Sequence, residues 1–181
     1  MADGGTRPAH NVQFSTDLDS LVIMGADVVQ AGSDSGQMDP MVQQIETDQG
    51  PLPEGGEYYV DGGFASNDDL EKIGNRGVTV YAPVKAVEKK KKNGQDPYAP
   101  KPGDTPQVAS WRQRMGTEDA QEKYKQRCKT EFPNATCRNR GLQQFSVRGL
   151  SKVKTVVLWY VLTHNLFRMV ALRAKRAAAT S

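Results

Sequence analysis

The stretch 124–140 reads YKQRCKTEFPNATCRNR. Tyr124, Arg127 and Glu131 stand three and four residues apart, which puts them on one face of a helix. Arg138 lies seven further on and extends that face by about two turns if the helix is unbroken. Pro133 has no backbone N–H, so the sequence predicts a kink or a restart just after Glu131. One carboxylate flanked by two cations and a phenol suits a site that handles phosphate. The acid holds a metal ion, and the cations hold phosphodiester oxygens. A solvated helix face with ordinary ion pairs shows the same spacing, and the stretch alone leaves both readings open.

Upstream of it the chain alternates between strand and helix patterns. In NVQFSTD (11–17), Val12, Phe14 and Thr16 face one way and the polar residues the other, a strand ending in Asp17. A turn at Asp19-Ser20 and a more apolar strand over 21–30 predict an antiparallel pair. Residues 31–36 read as a loop. Met38, Met41, Val42 and Ile45 then repeat at helical spacing, with Pro40 acceptable in a first turn. After a Pro and Gly loop, 57–60 reads as a buried strand stopping at Asp61. Gly62-Gly63 follows, where the backbone turns or approaches something closely. A helix over 67–75, capped by Ser66 or Asn67 and stopped by Gly77, leads to a strand over 78–84. Strand, helix, strand predicts a parallel crossover.

Residues 85–110 hold KKKK at 89–92 and prolines at 97, 100, 102 and 106, and read as a flexible polar loop. A helix is predicted over 111–130, and a long one from about Leu150 to Arg176. The stripe of the long helix is Val153, Val157, Tyr160, Val161, His164 and Phe167. Its apolar part, 156–172, is interrupted by Thr163, His164, Asn165 and Arg168. The sequence therefore predicts a buried helix, too polar and slightly short for a membrane span. The element order fits an α/β, RNase H-like mixed sheet flanked by helices, with a long C-terminal helix. A third antiparallel strand is not visible in the pattern. It is expected in the second half of 21–30, after a bend.

The chain has 181 residues, and its net charge of +3 conceals a division. Residues 111–181 carry fifteen Lys or Arg and four Asp or Glu, a net +11, whereas residues 1–110 carry −8. An acidic half followed by a basic half suits a metal site beside a polyanion track, and an internal charge match gives the same balance. Cys128 and Cys137 are too few for a disulfide framework and read as reduced thiols of a cytosolic protein. The opening MADGGTRPAH has no apolar core and so does not read as a signal peptide.

Asp17 and Asp61, both at strand ends, and Glu131 on a helix are placed to meet at one sheet edge, where an α/β sheet usually receives ligands. Three carboxylates suit a pair of Mg²⁺ ions about 4 Å apart, which activate an attacking oxygen and stabilise a leaving one. Asp19, two residues from Asp17, is the rival and reads better as a turn cap. Asp34 and Asp39 read as loop and helix-start residues, and Asp68 and Asp69 as favouring the N-terminus of their helix. His10 and His164, the only histidines, do not support a Ser-His-Asp arrangement; His164 reads as a core histidine.

The series Y-x2-R-x3-E-x6-K resembles the signature of a large group of bacterial insertion-sequence transposases with a DDE triad. Here it stands as Tyr124, Arg127, Glu131 and Arg138, with arginine in place of the last lysine. WRQRMGTEDA before it, and RNRGLQQFSVRGL and LTHNLFRM after it, are similar to that family. So are RPAHNVQFSTD, AGSDSGQMDPM and VDGGFAS, in order, and the resemblance spans most of residues 6–172. It implies Asp17, Asp61 and Glu131 as catalytic metal ligands, with Mg²⁺ or Mn²⁺, two ions, as cofactor. It implies DNA contacts at Tyr124, Arg127, Arg138 and Arg140, with transposon ends and target DNA as partners. A homodimer or an intact transposase is a further expected partner, no membrane is expected, and the location is the bacterial cytoplasm beside the nucleoid. Residues 1–181 are expected to form one RNase H-like catalytic domain, the C-terminal half of a transposase. The alternatives are a truncated remnant that binds DNA without turnover and a stand-alone RNase H-like nuclease.

Overall fold

The structure, a computed structural model, describes residues 10–30 and 32–180. The opening residues read as lacking a leader, 1–9, lie outside these. The chain is mixed α/β, with small sheets and a long C-terminal helix, and divides into two compact units. One holds residues 33–128, the other the segments before and after it.

In the discontinuous unit, β1 (Asn11–Thr16) pairs antiparallel with β2 (Ile23–Val29), as the short link requires. The register shifts between Ser15 and Thr16, and Leu21 takes a left-handed φ of 58° in the connecting turn. Helix α6 (Glu131–Asn139) packs on β1, and α7 (Leu150–Ala179) packs on β2 and α6. Val28, Val153 and Val157 form the core, closed by Val12, Phe14, Leu142 and Phe145.

In the continuous unit, α1 (Met38–Gln49) buries Met38, Met41, Val42 and Ile45, the stripe read from sequence. Strands β3 (Glu57–Tyr59) and β4 (Thr79–Tyr81) pair in parallel across α2 (Asn67–Asn75), so the crossover is present. Ser66 caps α2, its side chain accepting from the Asp69 amide at 3.1 Å. Gly77, with φ of 77°, follows the end of this helix. Beyond β4 come α3 (Val87–Lys92), α4 (Pro106–Arg114) and α5 (Glu118–Tyr124). The core joins Met38 and Val42 to Leu70, Ile73, Val80, Val108 and Trp111.

Five expectations are corrected. The single mixed sheet is, among the described residues, two separate two-stranded sheets, and 21–30 contributes one strand without a third. The stretch 85–110 is helical at both ends: the lysine run forms α3, and Pro106 opens α4 at its first position, where no N–H is needed. The helix predicted over 111–130 is broken, because α4 ends before Gly116 and the Thr117 side chain caps α5. Residues Lys125–Thr130 form a 3-10 helix, and α6 restarts at Glu131 rather than after it. Pro133 then falls in the first turn of α6, where its missing donor costs nothing. Finally, α7 is not a buried helix. It buries Val153, Val157 and His164, while Phe167 of the expected stripe is exposed. At 30 residues, with an 18-residue window of mean hydropathy 1.3, it is long and apolar enough to cross a membrane by length and composition.

Candidate active site

Asp17 follows β1 and begins the turn to β2. Its Oδ1 accepts from the Ser20 amide at 2.7 Å and the Ser20 hydroxyl at 2.5 Å. Partial burial works against the charged form, but the Ser20 hydroxyl and the Ser20 and Asp19 amides outweigh it. They hold the carboxyl below the usual aspartate value. The turn is gripped by α7. Arg168 Nε donates to Ser20 O at 2.8 Å, and His164 Nε2 donates to Leu21 O at 2.8 Å. Asn165 closes a two-way pair with Ile23, accepting from its amide and donating to its carbonyl, both at 2.9 Å. His164, Asn165 and Arg168 are spaced one and three apart on one side of an apolar helix. That spacing was the available signal for a docking face, and it reads from sequence only as an interruption of hydrophobicity.

Glu131 is the first residue of α6, where a carboxylate suits the helix dipole. The next residue, Phe132, meets His164 edge-on at 6.1 Å between ring centres, and Arg168 lies 5.8 Å from the Phe132 ring centre. The turn after Asp17 and the start of α6 therefore share His164 and Arg168 as neighbours. Arg138 and Arg140, at the end of α6, are both exposed. The Arg140 guanidinium lies 4.1 Å over the Phe167 ring, and its carbonyl accepts from Tyr160 Oη at 3.3 Å.

Asp61 stands just past β3 in the other unit, before the Gly62-Gly63 turn, and its side chain is 52% exposed. Arg127 Nη2 donates to Asp61 Oδ2 at 2.5 Å. Tyr124 Oη donates to Val60 O at 3.3 Å, and burial pushes its phenol up. Four residues before each member of the Arg127–Asp61 pair, Lys123 Nζ meets Glu57 Oε1 at 3.2 Å. Two ion pairs thus hold α5 and the following 3-10 turn along β3. Tyr124 and Arg127 do not share a continuous α-helix with Glu131: one ends α5, the second lies in the 3-10 turn, and the third opens α6.

Asp17 and Glu131 belong to one unit and Asp61 to the other. Within each unit, among the described residues, no three His, Cys, Asp or Glu side chains are grouped to hold a metal ion. The donor chemistry of the three carboxylates fits Mg²⁺ or Mn²⁺, which take hard oxygen ligands. Asp61 also offers its carboxylate to solvent. Both cysteines are free thiols, Cys128 exposed and Cys137 buried.

Residues 88–170 match the family model described as a transposase DDE domain. That span includes Tyr124, Arg127, Glu131, Arg138 and Arg140, and leaves Asp17 and Asp61 upstream of it. Comparison with curated proteins and with solved structures gives no match.

Proposed function

We propose that this chain, whose residues 88–170 match the transposase DDE domain model, is the catalytic region of a DNA transposase, cutting and joining phosphodiester bonds. The observation that carries this reading is the match itself, which contains the whole signature from Tyr124 to Arg138. In this reading Asp17, Asp61 and Glu131 hold two Mg²⁺ or Mn²⁺ ions. Bound metal supplies Lewis-acid stabilisation of the oxygens that attack and leave. The residues of the chain position and neutralise. Ser20 keeps Asp17 ionised, Tyr124 anchors its helix to the end of β3, and Arg127, Arg138 and Arg140 meet DNA phosphates. Transposon ends and target DNA are the substrates, with a second copy or an intact transposase as partner. The location is the cytoplasm beside the nucleoid, without a membrane. The bonding of His164, Asn165 and Arg168 to the β1–β2 turn supports a helix docked on protein rather than in lipid.

The Arg127–Asp61 pair favours a second reading, a DNA-binding chain without turnover, because a guanidinium already occupies this carboxylate. Nicking of supercoiled DNA separates the two. Under the first reading the chain nicks DNA with Mg²⁺ or Mn²⁺, and Asp61→Ala reduces nicking to the level without metal while still binding DNA. Binding without metal-dependent nicking in the parent chain supports the second reading and overturns the first.

A further inference from the structure

A cleft of about 280 Å³ lies within the continuous unit and is lined by Ala65, Pro83, Lys85, Lys101, Asp104 and Arg112 among others. Its floor is rigid. Arg112 and Asp104 bind at two points, Nε to Oδ2 at 2.9 Å and Nη2 to Oδ1 at 3.1 Å, with side chains only 6% and 5% exposed. Asp104 Oδ2 also accepts from the Lys101 amide at 2.8 Å, which fixes the turn carrying Lys101. Trp111 is pinned through Nε1 to Ala82 O at 3.1 Å.

The charge around this floor is unbalanced. Asp104 is the one carboxylate in the lining and is already committed to Arg112. Lys85 and Lys101 stand exposed at the rim. Lys90, from α3, sits near enough to Lys101 to be affected by it. Desolvation first, and the Lys101 charge second, hold the Lys90 ammonium below the usual lysine value. Two exposed lysines lining a polar cleft whose single carboxylate is already paired leave it with a positive balance that favours an anion.

We propose that this cleft binds a backbone phosphate of DNA, with Lys85 and Lys101 as the direct donors and the Arg112–Asp104 pair as the fixed floor. It adds Lys85 and Lys101 to the DNA contacts proposed for Arg127, Arg138 and Arg140. The choice of DNA as the source of phosphate rests on the transposase reading above; the phosphate chemistry does not.

The test is duplex DNA binding by the full chain in EDTA, so the result does not depend on whether the carboxylates hold metal. Lys85→Ala with Lys101→Ala is expected to weaken binding several-fold and to flatten the log-log salt dependence by about one unit. Lys85→Arg with Lys101→Arg keeps both properties, and Lys72→Ala, on α2, leaves both unchanged. Parental affinity and slope in the double alanine variant overturn the proposal. Inorganic phosphate, titrated against Trp111 fluorescence in a Trp159→Phe background, separates the sources. A weak response that duplex DNA suppresses supports a DNA phosphate. A saturating response that duplex DNA leaves intact overturns that assignment in favour of a free phosphate.

Discussion

Asp104 and Arg112 face each other through two hydrogen bonds and are almost wholly buried. Removing one partner of such a pair strands the other charge, at a cost of about 3–5 kcal/mol. Asp104→Asn, which keeps the shape but not the charge, is therefore expected to lower the unfolding free energy at pH 7 by a few kcal/mol, read by urea denaturation. The pH dependence has a definite sign. Hydrogen bonding from Arg112 holds the Asp104 carboxyl below its ordinary value of 3.8. Its stabilising contribution is present above that value and fades as pH falls through it toward the folded-state value. The acid limb of the stability curve should be shallower in the Asn variant; an unchanged limb would show that this carboxyl does not govern it. At this scale the sequence displayed residue types but not partners. Arg127 and Glu131 are visible in the signature. That Arg127 reaches Asp61, 66 positions away, is set by how α5 lies along β3, and no local pattern encodes that. His164 was legible as a core histidine because of its apolar neighbours, whereas its bond to Leu21 O was not.

Helix α2 was legible to its ends, because Ser66 and Gly77 are strong local signals and the run between them is short. The 111–139 region was not. Its break between α4 and α5 depends on Gly116 and a cap by Thr117, and helical spacing alone runs through it; only the restart beside Glu131 was signalled, by Pro133. The packing of one helix on another supplies a sharp test. A Cβ built on Gly74 of α2 would lie 2.6 Å from Gln107 Cγ and 3.0 Å from its Cβ, on α4. Glycine there allows the two helices to approach. Gly74→Ala gains about 1 kcal/mol of helix propensity and meets an overpacking cost of about 1–3 kcal/mol. The expected outcome is a net loss of stability and a lower Tm, restored by shortening the neighbour in Gly74→Ala with Gln107→Ala. A Tm raised by the single substitution would mean that α2 and α4 separate without cost.

Across the whole molecule, the division of charge was fully legible, since it needs only counting. The division into two compact units was not, because it joins segments at opposite ends of the chain. The +11 of residues 111–181 leads to a prediction about DNA. Arg138→Glu with Arg140→Glu should weaken duplex binding and reduce the salt slope by about 0.9 for each phosphate left without its cation. Arg140 also covers Phe167, so Arg138→Glu alone should be compared with it. Binding that ignores salt, or ignores both substitutions, would place the DNA affinity elsewhere. The outer side of α7 has a different consequence. Leu158, Trp159, Leu162, Leu166, Phe167, Met169 and Val170 are all exposed, Trp159 at 64% and Val170 at 62%. Contiguous apolar surface of this kind is sticky toward anything greasy. In a test tube the purified chain would foul columns, brighten dyes that fluoresce in oily surroundings, and clump as it is concentrated. Its handling would be governed less by its charge than by one side of one helix.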